Sequence, residues 1–139
     1  MADGIIYHAA TKDELAKVVH DFGVAARKCK LAGCDGVQIH AAHGFLLTTF
    51  LSPHFNKRAD EYGGPIENRS RLLFEIYDSV RNAVGVDYPI ALKLSFSDLV
   101  SDSSTPEEML WVCKELEKKG IDFIEVSSGI SADNMPSQD

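Results

Sequence analysis

The sequence predicts an α/β fold of parallel strands covered by helices, and three observations carry that expectation. Short β-branched or alternating runs lie at residues 36–40, 89–95 and 122–127. An amphipathic helical pattern precedes each of them. The order is therefore helix, strand, helix, strand, helix, strand, which implies parallel βαβ crossovers with helices covering the sheet. At 139 residues the chain suffices for one domain with a real core and is too short for two.

Thr11-Lys12-Asp13-Glu14 reads as a capping box, with Thr11 as N-cap and Glu14 reaching back to it. Leu15, Val18, Val19, Phe22, Ala25, Ala26 and Cys29 then recur at helical spacing on one face, and Gly33 supplies a left-handed stop. Residues 36–40 form the first strand. Residues 45–51 read as one or two helical turns, broken by Ser52-Pro53 and followed by the polar loop NKRADEYGGP. A second helix carries Leu72, Leu73, Ile76, Tyr77, Val80 and Val84 and stops at Gly85. In the second strand Ile90, Leu92 and Leu94 alternate with Ala91, Lys93 and Ser95. Thr105-Pro106-Glu107-Glu108 opens a third helix with an N-cap, a proline at the first position and acids in the first turn. Leu110, Cys113 and Leu116, with Met109 nearby, give its apolar side, and Gly120 ends it. The third strand follows. The domain core spans residues 11–129, and residues 130–139 read as a frayed tail.

Composition narrows the function classes. The chain is 45% hydrophobic and 25% charged, as soluble globular proteins are. Its 14 Lys and Arg against 21 Asp and Glu give a net charge of −7, and its basic residues are scattered. That argues against a nucleic-acid or anionic-membrane surface, which needs cations gathered on one face. Cys29, Cys34 and Cys113 make an odd count without a CxxC pair, so a reducing, cytoplasmic setting is expected. Cys29 and Cys113 fall on apolar helical stripes and read as buried small hydrophobes. The N-terminal MADGIIYHAATKDEL lacks the pattern of a secretory signal, and no run of apolar residues is long enough to span a membrane.

Loops that follow the strands form the functional face of parallel α/β folds. Residues 40–45, 95–98 and 127–129 all lie there and are expected to share one rim. The stretch VQIHAAHGFL puts His40 and His43 at a strand end, followed by Gly44 and Phe45. On a straight strand the two side chains would point to opposite faces, but a turn can make them converge. Converged imidazoles offer two N–H donors to one oxygen, which suits a carbonyl that gains negative charge. Spacing alone leaves two other readings open: one ring satisfying backbone groups while the other faces solvent, or part of a metal site. Lys93, on the polar side of an interior strand, needs a partner. A negatively polarised ligand near the strand end would serve, as would a carboxylate such as Asp98 or Glu125. Gly63 and Gly64 before Pro65 read as a turn, not as a phosphate cradle.

The run AGCDGVQIHAAHGFLLTTFLSPHFNKRADEYGGPIENRSRLLFEI, followed by ALKLSFSD and GIDFIEVSSG, resembles the Old Yellow Enzyme family of FMN-dependent ene-reductases and NADH:flavin oxidoreductases. The likeness extends from about Thr11 to Gly129. It implies a (β/α)8 TIM barrel with FMN at its C-terminal mouth, of which this chain supplies three parallel strands, the family's fourth to sixth. NAD(P)H would reduce the flavin, which would pass hydride to an α,β-unsaturated carbonyl compound. His40 and His43 match the pair that binds the substrate carbonyl and stabilises the developing enolate. Phe45 stands where the family usually has the tyrosine that protonates the α-carbon, so it would line the pocket without giving a proton. Lys93 stands where the family usually has an arginine beside the flavin, keeping the charge but not the planar fork. Because the strands that grip the ring and the loops that bind the phosphate are not encoded, the alternative is a non-catalytic barrel remnant or interaction module. Its unpaired strand edges would favour self-association or a partner that supplies the missing half-barrel.

Overall fold

The computed structural model describes residues 8–130. Helix α1 spans Lys12–Leu31. Its start is fixed by the expected capping box: the Glu14 N–H donates to Thr11 Oγ1 at 3.3 Å, and the Thr11 N–H donates to Glu14 Oε2 at 2.7 Å. The helix ends at Ala32, and Gly33 takes the left-handed conformation at φ 88°. The face is narrower than the apolar spacing predicts. Leu15 and Ala26 are buried, Val18, Val19, Phe22 and Cys29 are half-buried, and Ala25 is exposed. The cause is one-sided packing: α1 lies mainly against α4. At their crossing, a Cβ on Gly23 would come 2.5 Å from Ser79 Oγ and 3.1 Å from its carbonyl oxygen, so a larger residue would force Ser79 to shift.

Strands β1 (Val37–Ala41), β2 (Ile90–Ser95) and β3 (Phe123–Ser127) form a three-stranded parallel sheet in the order β1-β2-β3. Each begins one residue later than its sequence pattern suggests, and β1 also ends one later. His40 lies opposite Lys93, Lys93 opposite Glu125, and Ser95 opposite Ser127. Period-2 alternation then divides the sheet. Ile39, Ile90, Leu92 and Leu94 enter the core, whereas Gln38, His40, Lys93, Glu125 and Ser127 share the other face. On β3, Phe123 is 59% and Val126 65% exposed, one on each face, because this strand has a paired neighbour on one side only.

Between β1 and β2 lie α2 (Leu46–Leu51), α3 (Ile66–Arg69) and α4 (Arg71–Val84). All six apolar residues predicted for α4 are buried, and Gly85 ends it at φ 88°. The polar loop before α3 folds on Asn56. That amide donates to the carbonyls of Phe50 at 2.6 Å and Tyr62 at 2.7 Å, and accepts the Arg58 N–H at 3.1 Å. Gly63 is obligatory, since a Cβ there would lie 2.0 Å from the Arg58 carbonyl oxygen.

Helix α5 (Pro106–Lys119) has the predicted box at Thr105 and Glu108 and the predicted left-handed Gly120. Its buried face is Met109, Val112 and Leu116, while Leu110 is 49% exposed. The apolar stripe is therefore turned one position from the expected Leu110–Cys113–Leu116 line. Cys29 and Cys113 are half-buried, not fully buried as expected. Ile130, assigned from sequence to the tail, is buried and forms a parallel bridge with His43. The rest of that tail, 131–139, lies outside the described residues. No described helix is long and apolar enough to cross a membrane.

Arg69 is only 3% exposed. Its guanidinium donates to the carbonyls of Leu51 and of Gly64 (2.9 Å), to Ser104 Oγ at 3.4 Å, and to the carboxylate of Glu108. Replacing it leaves several buried acceptors unpaired. Arg69→Leu is expected to lower unfolding stability by about 3 kcal/mol or more, read from the urea midpoint, with hydrogen exchange accelerated in both 52–65 and the start of α5.

Candidate active site

The strand end after β1 is bent by two consecutive left-handed residues, His43 at φ 62° and Gly44 at φ 79°. A histidine in this region is uncommon and needs support. The support comes from the neighbouring strands. The His43 N–H donates to Ser95 Oγ at 3.0 Å, and His43 Nε2 is hydrogen-bonded to Ser127 Oγ at 2.7 Å. The turn brings the rings of His40 and His43 to a centroid separation of 5.4 Å, tilted by 55°. The turn thus brings the two rings together.

Phe45 completes the group. Its ring meets His40 edge-on at 5.3 Å and is 51% exposed, so it forms one wall of an open site. One edge of His40 is open to solvent. Loss of hydration where its ring is covered, reinforced by the nearby His43 and Lys93, lowers its pKa below the usual histidine value. The shift favours the neutral imidazole, which can donate one hydrogen bond and carries no charge of its own.

Lys93 pairs with Glu125 at 2.6 Å. Asp98, the other partner considered, is buried and bound to Ser103, whose Oγ accepts the Asp98 N–H at 2.8 Å. Glu125 also accepts from Gln38 Nε2 at 3.0 Å. These bonds, Lys93 first, hold the Glu125 carboxyl below its ordinary range. Gln38, His40, Lys93 and Glu125 thus form a polar belt across one sheet face, with His43 and Ser127 above it. The three predicted loop segments do share a rim. The Phe96 N–H donates to the Ser127 carbonyl at 2.8 Å, and the Gly129 N–H to the Ser97 carbonyl at 2.8 Å. Among the described residues no group of three or more His, Cys, Asp or Glu side chains is placed to hold a metal ion.

Residues 2–136 match the NADH:flavin oxidoreductase / NADH oxidase family. This chain belongs to that family. Enoate reductase 1 of Kluyveromyces lactis is 44% identical over 120 residues, which span 81% of this chain and 29% of that protein. The structure of 2-naphthoyl-CoA reductase in complex with 2-naphthoyl-CoA superposes with a TM-score of 0.87 at 35% identity, over 94% of this chain and 21% of that one. The old yellow enzyme homologue from Zymomonas mobilis gives 0.80 at 35% identity, over 89% of this chain and 36% of that one. The chain thus spans between about a fifth and about a third of the flavin oxidoreductases it matches. Its three strands and their helices are part of a (β/α)8 barrel. In such barrels catalytic groups gather at the C-terminal ends of the strands, where His40, His43 and Ser127 lie.

The sequence places His40, His43 and Phe45 on this rim and Lys93 on the polar side of an interior strand, and the structure brings the first three into ring contact. Lys93 sits one strand away on the same face. Ser95 and Ser127 were not singled out as ligands of His43. Only the β2–β3 register, with Ser95 opposite Ser127, aims both hydroxyls at the turn, and nothing in the linear pattern fixes that register.

Lys93→Met removes a cation that disfavours protonation of His40 and frees the Glu125 carboxylate, and both changes favour the imidazolium. In an NMR titration the His40 midpoint is expected below 6.5 in the wild type and higher in Lys93→Met. Because the folded-state pKa is the depressed one, His40 costs stability progressively as pH falls below its unfolded value. That part of the pH–stability curve should flatten in His40→Ala.

Proposed function

We propose that this chain carries the substrate-carbonyl end of the active site of an FMN-dependent NAD(P)H oxidoreductase of the ene-reductase type. The observation behind this reading is the convergence of two imidazoles, 5.4 Å apart, on a strand-end turn beside a lysine-bearing sheet face. His40 and His43 donate N–H groups to the carbonyl oxygen of an α,β-unsaturated substrate. When bound, FMN reduced by NAD(P)H would supply the hydride taken up by the β-carbon. Negative charge then collects on the oxygen, and donors already in place stabilise it without reorganising. Phe45 shields one side of the site and has no proton to give, so the proton for the α-carbon comes from solvent.

The donor set of the exposed sheet face fits an isoalloxazine edge. Lys93 would hold it as a cation, and the Gln38 amide lies on the same face. The remaining grips on the cofactor would come from other barrel strands, in a longer chain or a second copy that pairs with the open edges of β1 and β3. A second reading, a non-catalytic barrel segment that binds no flavin, draws on the Lys93–Glu125 pair. A lysine already neutralised offers less to a flavin.

The test is an FMN titration of the purified chain, followed by visible absorption and gel filtration. A perturbed flavin band that elutes with the protein is expected. His43→Ala should keep that band while weakening cyclohexenone binding about tenfold, the scale of one lost hydrogen bond. A chain that never retains FMN supports the second reading instead.

A further inference from the structure

The way α1 ends brings two thiols together. Past its last turn the Gly33 N–H donates to the Lys30 carbonyl at 3.1 Å, and the Cys34 N–H donates to the Cys29 carbonyl at 3.1 Å. With Gly33 left-handed at φ 88°, these are the paired bonds of a Schellman stop. In such a stop the residue after the glycine folds back over the third residue from the helix end, and their side chains commonly make contact. Those positions usually hold apolar residues. Here both are cysteines.

The bond between the two backbones holds their Cα atoms about 5–6.5 Å apart. A disulfide needs about 4.4–6.8 Å. A second observation puts both thiols beside one group. The Tyr88 hydroxyl donates to the Cys34 carbonyl at 2.8 Å. Loss of hydration raises the Tyr88 phenol above its ordinary pKa, and the neighbouring Cys34, Cys29 and Asp35 add to the rise. Both cysteines therefore lie within electrostatic reach of a single hydroxyl. Cys34 is exposed and Cys29 is half-buried, so one thiol meets a reagent first and the other waits beside it.

We propose that Cys29 and Cys34 are a reversible redox pair that closes a disulfide across the end of α1. The oxidant is a low-molecular-weight disulfide such as glutathione disulfide. The Cys34 thiolate attacks one of its sulfurs, forming a mixed disulfide and releasing one glutathione thiolate. The Cys29 thiolate then attacks Cys34 Sγ, and the second glutathione leaves as a thiolate. The two protons lost by the protein pass to solvent, and the two electrons end on glutathione. Cys113 stands apart on α5, where burial pushes its thiol up. A pair of this kind suits a reducing compartment, where protein disulfides are transient and respond to redox conditions. It lies before the start of β1, at the opposite end of that strand from His40 and His43. The pair therefore acts on the stability of the segment and does not depend on the carbonyl-binding reading.

The experiment equilibrates the full chain with mixed reduced and oxidised glutathione, both folded and in urea, and then quenches and alkylates the remaining thiols. Tryptic cleavage after Lys28, Lys30 and Lys57 separates residues 29–30 from 31–57, so the disulfide appears by mass as those two peptides joined. The folded chain should give this species, with Cys113 alkylated. Its ratio to the dithiol form should be about tenfold higher in the folded chain than in urea, because the stop pre-orients the pair. The unfolding midpoint should rise on oxidation and fall back with dithiothreitol. Cys29→Ser should halt at Cys34 joined to glutathione. A ratio no higher in the folded chain than in urea overturns the proposal. So does a folded wild type whose Cys34 is joined to glutathione, to Cys113 or to a second chain in place of Cys29. The mass readout needs neither flavin nor activity, so it stands or falls separately from the FMN titration.

Discussion

The buried guanidinium of Arg69 is the constraint on which the rest of the rim depends. It joins the end of α2, the glycine turn before α3 and the first turn of α5, which are far apart in sequence. Burying an arginine is costly unless its donors are matched, and here the matches are carbonyls at loop ends with few other partners. Glu108 serves twice, accepting from Arg69 and closing the capping box on Thr105. The loop after β1 is thereby tied to the loop after β2, and both must leave the sheet in directions that keep Leu51 and Ser104 within reach. The segment that carries His43 and Phe45 is the short stretch between β1 and α2, so its two ends are fixed before any ligand is considered.

Given that frame, the site follows from strand register. One cross-strand row places His40, Lys93 and Glu125 side by side, and the next equivalent row places Ser95 beside Ser127. The first row sets an imidazole, a cation and an anion side by side. The second is a pair of hydroxyls that meet a left-handed turn. Moving β3 by one residue would turn its side chains to the other face, removing Ser127 from His43 and Glu125 from Lys93 together. The hydrogen-bonding part and the charged part of the site are therefore one feature of the sheet.

Much of this was legible in the sequence, for reasons that differ by element. Thr11–Glu14 and Thr105–Glu108 declare helix starts through local chemistry, and both capping boxes form. Gly85 and Gly120 declare stops in the same way. The face of α4 was readable because Leu72, Leu73, Ile76, Tyr77, Val80 and Val84 recur along one side. On α5 there were two such lines, and only packing into the core selects Met109, Val112 and Leu116 over Leu110 and Cys113. Ala25 on α1 failed for a related reason, since a helix with a neighbour on one flank buries less than its apolar pattern offers. At the site, sequence gave the residue types and the strand ends. It could not give the partners of His43, nor choose Glu125 over Asp98 for Lys93, because those choices reside in register and in the Asp98–Ser103 loop.

The two halves of the site are held with unequal strength, and that has a chemical sense. His43 is fixed by a backbone bond and a ring bond to half-buried or buried serines, in a conformation that few residues adopt. Lys93 is fixed by one ion pair whose glutamate is 45% exposed. Such pairs contribute about 0–1 kcal/mol, less than a ligand with a well-placed anionic edge would return. The His43 imidazole is thus held in place, while the lysine can exchange one anionic partner for another at little cost. That division would suit the carbonyl and flavin roles proposed above. The rigid element sits on the turn, and the exchangeable one in the middle of an open sheet face.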